Sequence, residues 1–139
     1  LPEATLALAR YVRLLELHMR HEEELLLPIY ARETPSKRWP VVLYTGQHQR
    51  MRELLASTTE RVAALARRED VRGRDIIELL DHERTYKHLA EHHDGAEREG
   101  FFPALDKLTT ASECSELIES CWKEWLAAEL TSPELGSRD

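Results

Sequence analysis

The sequence predicts an all-α protein whose helices form an antiparallel, up-down-up-down four-helix bundle. Apolar residues recur at spacings of three and four along most of the chain, and no useful stretch shows the alternation expected of a strand. The predicted helices are joined by short connections, which favours antiparallel neighbours. The 139 residues suit one domain with a single core.

The first predicted helix runs from about Ala4 to Leu27. We expect Pro28 to end or kink this helix, because a proline clashes with the preceding helical turn and cannot donate a backbone hydrogen bond. Its apolar stripe consists of Leu8, Tyr11, Leu15, Leu26 and Ile29.

A loop at residues 34–40 leads to the second predicted helix, with Pro40 suited to its first position. Residues 69–73 break that helix, and a third continues towards Phe102. Thr110 and Glu113 have the spacing of a capping box and open a fourth helix through Leu130. The bundle therefore covers residues 1–130, and residues 131–139, with Pro133 and Gly136, form a tail.

Charge and hydropathy exclude several classes of partner. The formal net charge of -7 argues against nucleic-acid binding, which needs a clustered excess of Lys and Arg. No apolar run approaches the ~18 residues that span a bilayer, so no membrane association is predicted. Cys114 and Cys121 would lie ~10 Å apart on one helix, too far to bridge. Reduced thiols indicate a cytoplasmic protein.

The strongest functional signal is a repeated segment. Residues 18–28 align without a gap with residues 93–103 as His-x3-Glu-x-Glu-x-apolar-apolar-Pro. His18 and Glu22 fall on the apolar stripe of the first helix, and His93 and Glu97 on that of the third. A buried carboxylate costs several kcal/mol unless it is paired or bound to a cation. The repeat therefore calls for a ligand or a partner.

A third histidine falls at the same height. His18 and His93 each precede a proline by ten residues, about 15 Å of helical rise. His48 follows Pro40 by eight residues, about 12 Å along the neighbouring helix. Imidazole and carboxylate ligands suit iron, manganese or zinc, and two potential bridging carboxylates favour two ions. The alternative is that each His-x3-Glu is an ordinary helical hydrogen-bonded pair.

The segments HMRHEEELLLP, GQHQRMRELL and HHDGAEREGFFPAL resemble the hemerythrin-like, HHE cation-binding family over about residues 8–106. The resemblance implies a hemerythrin-like bundle around two non-heme iron ions, for which zinc or manganese can substitute. It implies that His18 and His93 are terminal ligands, that Glu22 and Glu97 bridge the irons, and that His48 binds the nearer iron.

The chain departs from the family in one respect. Family members usually have a further upstream helix with another histidine, and this sequence starts too late to contain it. Either that helix is missing, or the fourth helix takes its place. The fourth helix offers Cys121 at the corresponding depth, as a thiolate ligand or, in the favoured alternative, as a small packed residue.

The leading functional hypothesis is a di-iron protein that reversibly binds or senses oxygen, nitric oxide or peroxide, rather than an enzyme. An oxidase, ferroxidase or peroxidase would use the same ligands and is the first alternative. A metal-free helical interaction module is the second. Trp122 and Trp125 are expected to pack between helices or to form a homo-oligomer contact. His21 is a candidate for contact with the ligands, whereas His88 and His92 are expected to face solvent.

Overall fold

A computed structural model of the protein describes residues 1–33 and 36–131. In these ranges all regular structure is helical and no strand occurs. The elements join into four continuous helical segments, which confirms the all-α prediction. They are α1 (Pro2–His21), π1 (Glu22–Leu26), α2 (Leu27–Tyr30), α3 (Val41–Ala66), α4 (Gly73–Ala96), π2 (Glu97–Phe101), α5 (Phe102–Leu108) and α6 (Ala111–Leu130).

Helix α3 is the central element of the fold. It packs against both α1 and α4, while α6 packs against α1 and the short α2 contacts α5. Beside the two π-helical turns lies the core cluster, in which Tyr30, Tyr44 and Phe101 stack at angles to one another. Leu27 and Ala96 complete its buried part. This part of the core therefore lies within and beside the repeated segments.

Each repeated segment contains a π-helical turn that begins at its glutamate. The backbone N–H of Leu27 donates to the carbonyl oxygen of Glu22, and the N–H of Phe102 donates to that of Glu97. These bonds reach back five residues instead of four, so each turn holds one extra residue. Such turns are rare in proteins, and those that are found often lie at functional sites.

Of the two outcomes predicted at Pro28, an end or a kink of the helix, the end does not occur. The helical segment continues to Tyr30, and Pro28 and Pro103 each occupy the second position of the α-helix that follows a π turn. In an α-helix a proline clashes with the carbonyl four residues earlier. Because the π turn bonds one residue further back, that carbonyl is displaced, and the helical path continues past the proline.

The π turn also shifts which residues face the core. Leu27, Ile29 and Tyr30 are buried after π1, whereas the predicted Leu26 is only half-buried. In the middle of α1, Tyr11 is 45% exposed and packs edge-on against Tyr86, with the two hydroxyls in contact. Of the other predicted stripe residues, Ile29 is buried and Leu8, Leu15 and Leu26 are half-buried, so the prediction is wrong for Tyr11.

Helix α6 begins as predicted. Thr110 Oγ1 accepts a hydrogen bond from the backbone N–H of Glu113 at 3.2 Å, and the Glu113 carboxylate accepts from the N–H of Thr110 at 2.8 Å. This is the predicted capping box, and the helix ends at Leu130. None of the α6 residues is buried. Ion pairs with α1, from Arg20 to Glu124 and from Arg10 to Glu129, hold it in place.

The remaining boundaries differ little from the prediction. Pro40 is the extended N-cap of α3 rather than its first helical residue, and α4 begins at Gly73 after the predicted break. Thr34 and Pro35 of the predicted loop, and residues 132–139 of the predicted tail, lie outside the described residues. Among the described helices, none has the length and low polarity required to cross a bilayer.

Candidate metal centre

Four buried side chains converge at the level of the π turns. Glu22 is the first residue of π1, Glu97 is the first residue of π2, and His48 and His93 lie on α3 and α4. One ligand atom of each lies within 4.8 Å of those of the other three, and the exposed fractions are 0% to 5%. The structure thus brings together four of the five predicted site residues, and we call them the cluster.

The imidazole rings of the cluster face the carboxylates through Nε2. His48 Nε2 lies 3.0 Å from Glu22 Oε2, and His93 Nε2 lies 3.0 Å from Glu97 Oε1 and 3.8 Å from Glu22 Oε2. The two Nε2 atoms are 3.2 Å apart. Two nitrogen and several oxygen ligand atoms therefore point to one small volume, a donor set that suits a divalent transition metal.

The fifth predicted residue, His18, lies at the edge of this group. Its Nε2 is 3.1 Å from Glu22 Oε1, but its side chain is 47% exposed. It is not one of the four converging residues. His18 contacts the cluster through Glu22, on the side that faces α6.

The outer nitrogen of His48 is held by a carboxylate. His48 Nδ1 lies 2.9 Å from Glu23 Oε1, and Arg52 donates to both oxygens of Glu23 at 2.9 Å and 3.2 Å. A carboxylate cannot donate when ionised, so Nδ1 carries the proton and the Nε2 lone pair faces the cluster. This is the usual outer contact of a metal-binding histidine.

The outer nitrogen of His93 is held by a neutral amide. His93 Nδ1 donates to Gln47 Oε1 at 3.0 Å. Since Nδ1 is protonated here too, Nε2 is the atom that faces the cluster. The two histidines are therefore oriented alike, but one has an anionic partner and the other a neutral one.

Electrostatics in the metal-free cluster favour a proton on His93. Burial alone would lower the pKa of His93, but Glu22 and Glu97 raise it to about 9. Burial would raise the pKa of Glu22, but contacts with His18, His48 and His93 lower it overall. The pKa of Glu97 is raised, by burial first and by the nearby Glu22 carboxylate. A proton at Nε2 of His93 thus occupies the place of a cation.

Two buried carboxylate oxygens have only histidine nitrogens beside them. Glu22 Oε1 lies 3.1 Å from His18 Nε2, and Glu97 Oε1 lies 3.0 Å from His93 Nε2. In the metal-free protein a proton must lie between each oxygen and its nitrogen, because a carboxylate and an imidazole lone pair repel each other. A bound cation would take the place of these protons. The residues present therefore fit a metal ion.

A cavity of about 510 Å³ borders the cluster between α1, α5 and α6, and we call it the α6 cavity. His18, His21 and Glu22 form its polar end. Its other lining residues include Leu26, Phe102, Leu105, Cys114, Leu117, Ile118, Cys121, Trp122 and Trp125.

The cavity changes several predictions for the fourth helix. Cys121 lines the cavity and is not among the converging residues. Burial, and then Glu124, raises the pKa of its thiol, which disfavours a thiolate. Both cysteines are free. Trp122 is 57% exposed, so within this chain it is not packed between helices.

The other histidines considered above, and Tyr44, lie outside the cluster. His21 is buried, with Nε2 3.3 Å from Glu124 Oε2, and does not join the cluster. His88 and His92 are exposed, as expected. Tyr44 is a core residue whose hydroxyl donates to the carbonyl oxygen of Ala96 at 3.1 Å.

Sequence reasoning missed Glu23, Gln47 and Arg52. Glu23 follows Glu22, Gln47 precedes His48, and Arg52 lies one turn after His48 on the same side of α3. The signal was available, because every metal-binding histidine needs a partner for its second nitrogen. A polar residue adjacent to a ligand position is the natural place to look.

Comparison of the chain with protein families, with curated proteins and with solved structures found no match. The case for a metal site therefore rests on the residues and geometry of this chain.

Proposed function

We propose that the chain is a metal-binding protein that holds two non-heme iron ions and reversibly binds or senses oxygen, nitric oxide or peroxide. The single observation that carries the proposal is the buried cluster, in which both histidines are oriented by outer acceptors so that Nε2 faces two carboxylates. In this proposal the helices form an antiparallel bundle of the hemerythrin-like kind. Free thiols are consistent with a cytoplasmic location.

The ligands divide unequally between two positions. His48, His93, Glu22 and Glu97 would hold one ion, because their ligand atoms already converge. His18 would hold the second, together with the shared carboxylates of Glu22 and Glu97. The second position has fewer protein ligands and borders the α6 cavity. Iron at this position would supply the reversible binding of a small ligand.

The side chains around the ions have separate tasks. Glu23 and Gln47 fix the orientation of the two rings, and Arg52 fixes Glu23. The buried Tyr44 and Phe101 exclude water on the core side. The opposite side is open to a cavity, so a small molecule can approach the His18 position without unfolding of α3 or α4.

Reconstitution with ferrous iron tests the proposal. Protein loaded without oxygen should retain close to two irons per chain, and it should gain visible absorption on exposure to oxygen that disappears when oxygen is removed. Loading should also raise the melting temperature, because the unfolded chain has no formed site. A Glu22→Gln variant should lose these properties, and Glu24→Gln, altered at an exposed position of the same π turn, should keep them. A parent protein that retains no metal would contradict the proposal.

An oxidase, ferroxidase or peroxidase is the second candidate, and the α6 cavity favours it. An enzyme needs an open metal position next to a space for substrate, and the cavity borders both His18 and Glu22. Sustained turnover of peroxide or ferrous iron by the loaded protein would select the enzyme over the reversible binder. A metal-free interaction module would instead show no change in melting temperature on metal addition.

A further inference from the structure

The α6 cavity has the size of a binding site for a small organic molecule. Its volume of about 510 Å³ falls within the roughly 300–1,000 Å³ typical of such sites. Oxygen, nitric oxide and peroxide would occupy only a small part of this space.

The wall of the α6 cavity is mostly apolar. Leucine, isoleucine, phenylalanine and tryptophan side chains form most of it, and Cys121 adds a thiol whose raised pKa keeps it neutral. Glu22 lies at one end and Asp106 also borders the space. Among the described lining residues none is Lys or Arg, and His18 and His21 already contact Glu22 and Glu124, so a phosphate or carboxylate would find no cation that is not already paired. The wall therefore favours an uncharged, apolar molecule.

Helix α6 lacks the contacts that such a molecule would supply. None of its residues is buried, and Ile118 and Trp122 remain largely exposed although both border the cavity. Ion pairs such as that from Arg20 to Glu124, at 2.8 Å, fix the far side of α6 to α1. Exposed pairs contribute only about 0–1 kcal/mol each. An apolar occupant would bury the free face of the helix.

We propose that the α6 cavity binds an uncharged apolar organic molecule, of the class of medium-chain alcohols, beside the metal cluster. The hydroxyl end of such a molecule would lie near His18 and Glu22, the polar end of the cavity. This binding goes beyond the proposed reaction with small gases or peroxide. It does not require a metal, because α5 and α6 form most of the wall.

Titration of the full chain with 1-decanol tests the binding. Trp122 and Trp125 border the cavity, whereas Trp39 packs against Gly100 at a distance from it, so tryptophan fluorescence reports the site directly. We expect a saturable fluorescence change with the same dissociation constant at two protein concentrations. Decanoate, which has the same chain length and a carboxylate, should bind at least ten-fold more weakly.

A matched pair of variants locates the binding. Cys121→Phe places a ring in the cavity and should weaken decanol binding at least ten-fold. Ser120→Phe adds the same ring at the neighbouring exposed position and should leave it unchanged. Circular dichroism establishes that each variant is folded. If Cys121→Phe does not fold, Cys114→Phe serves in its place, because Cys114 lines the same cavity about two helical turns earlier in α6.

The inference would be overturned by no saturable binding to the folded parent, by equal binding of decanoate, or by equal loss in Ser120→Phe. A dissociation constant that rises with protein concentration would also overturn it, because it would show that a second copy of the chain covers this face. Iron content is measured on the same samples. Decanol binding without iron retention would remove only the proposed metal function, and iron retention without decanol binding would remove only this inference.

Discussion

The two repeated segments share one local structure but differ in their surroundings. Each has a buried glutamate at the start of a π turn, followed by a proline that the helix passes. Yet the His93 side chain is 3% exposed and the His18 side chain 47%. The same sequence motif therefore gives a buried histidine in one copy and a half-exposed histidine in the other.

The neighbouring helix explains the difference. His93 faces α3, which supplies Gln47 to its outer nitrogen and packs Tyr44 against its ring. His18 faces the side of α6, where the α6 cavity lies instead of a packed helix. The repeat determines the backbone geometry and the positions of its histidine and glutamate. The number of contacts that each histidine makes depends on the helix that faces it.

The largest expected effect is the unequal response of the two copies to removal of their histidines. His93→Ala should abolish iron binding, because His93 belongs to the converging group. His18→Ala should retain close to one of two irons, because the cluster stays intact. Metal analysis after gel filtration measures both, with the exposed His88→Ala as the control. Equal losses in the two variants would show that the copies are equivalent despite their different exposure.

A smaller effect is expected from the outer contacts of the two rings. Glu23→Gln makes the partner of His48 an amide, like that of His93, and removes the ion pair with Arg52. Metal affinity should fall about 10- to 100-fold, as is typical when such a partner is lost. Competition with a coloured chelator measures it. Glu24→Gln is the control, and an unchanged affinity in Glu23→Gln would mean that the carboxylate does not tune His48.

The metal-free protein should lose stability between about pH 6.5 and pH 9. His93 has a folded-state pKa raised to about 9, so its contribution is fully present below the ordinary value of 6.5 and is lost as the pH rises through 9. The expected loss is on the order of 3 kcal/mol, since each pKa unit corresponds to about 1.4 kcal/mol. Urea unfolding at fixed temperature measures it.

The comparison between copies also applies to this pH dependence. The pKa of His18 is raised too, chiefly by its contact with Glu22, but solvent screens this exposed ion pair. His93→Gln should therefore flatten the profile more than His18→Gln. The opposite order would place the titrating group in the first copy.

The smallest expected effect concerns a position at which the copies differ in sequence. The first copy has Leu25 where the second has Gly100. A Cβ at Gly100 would lie 2.6 Å from Trp39 Cγ, so Gly100→Ala should destabilise the protein by about 1–2 kcal/mol. At Gly95 a Cβ would meet nothing within 4 Å, and Gly95→Ala should stabilise α4 by up to about 1 kcal/mol. Thermal melts compare the two, and equal effects would show that Trp39 moves aside freely.

The helices and the capping box of α6 followed from local rules, because periodicity and cap spacing depend on neighbours in the chain. Four of the five site residues converge for the same reason: positions on adjacent helices can be counted from fixed points. The π turns could not be predicted in this way. An extra residue shifts every later side chain by about 100°, and this is why Leu27 is buried although it lies outside the predicted stripe.

The environment of α6 was beyond local reasoning for a different reason. Its stripe of apolar residues predicts a buried face, and the stripe is present. Whether a neighbour fills the space opposite Trp122 depends on the relative placement of α1, α5 and α6. No pattern within one helix carries that information.

The absence of any buried residue in α6 predicts two levels of local stability. Detaching this helix should expose less apolar surface than opening α3, whose residues Met51, Leu54 and Leu55 are buried in the core. Amide hydrogens of α6 should therefore exchange with solvent through partial opening, at a free energy well below that of global unfolding. In kinetic terms, one wall of the α6 cavity should open many times during the lifetime of the fold that holds the cluster.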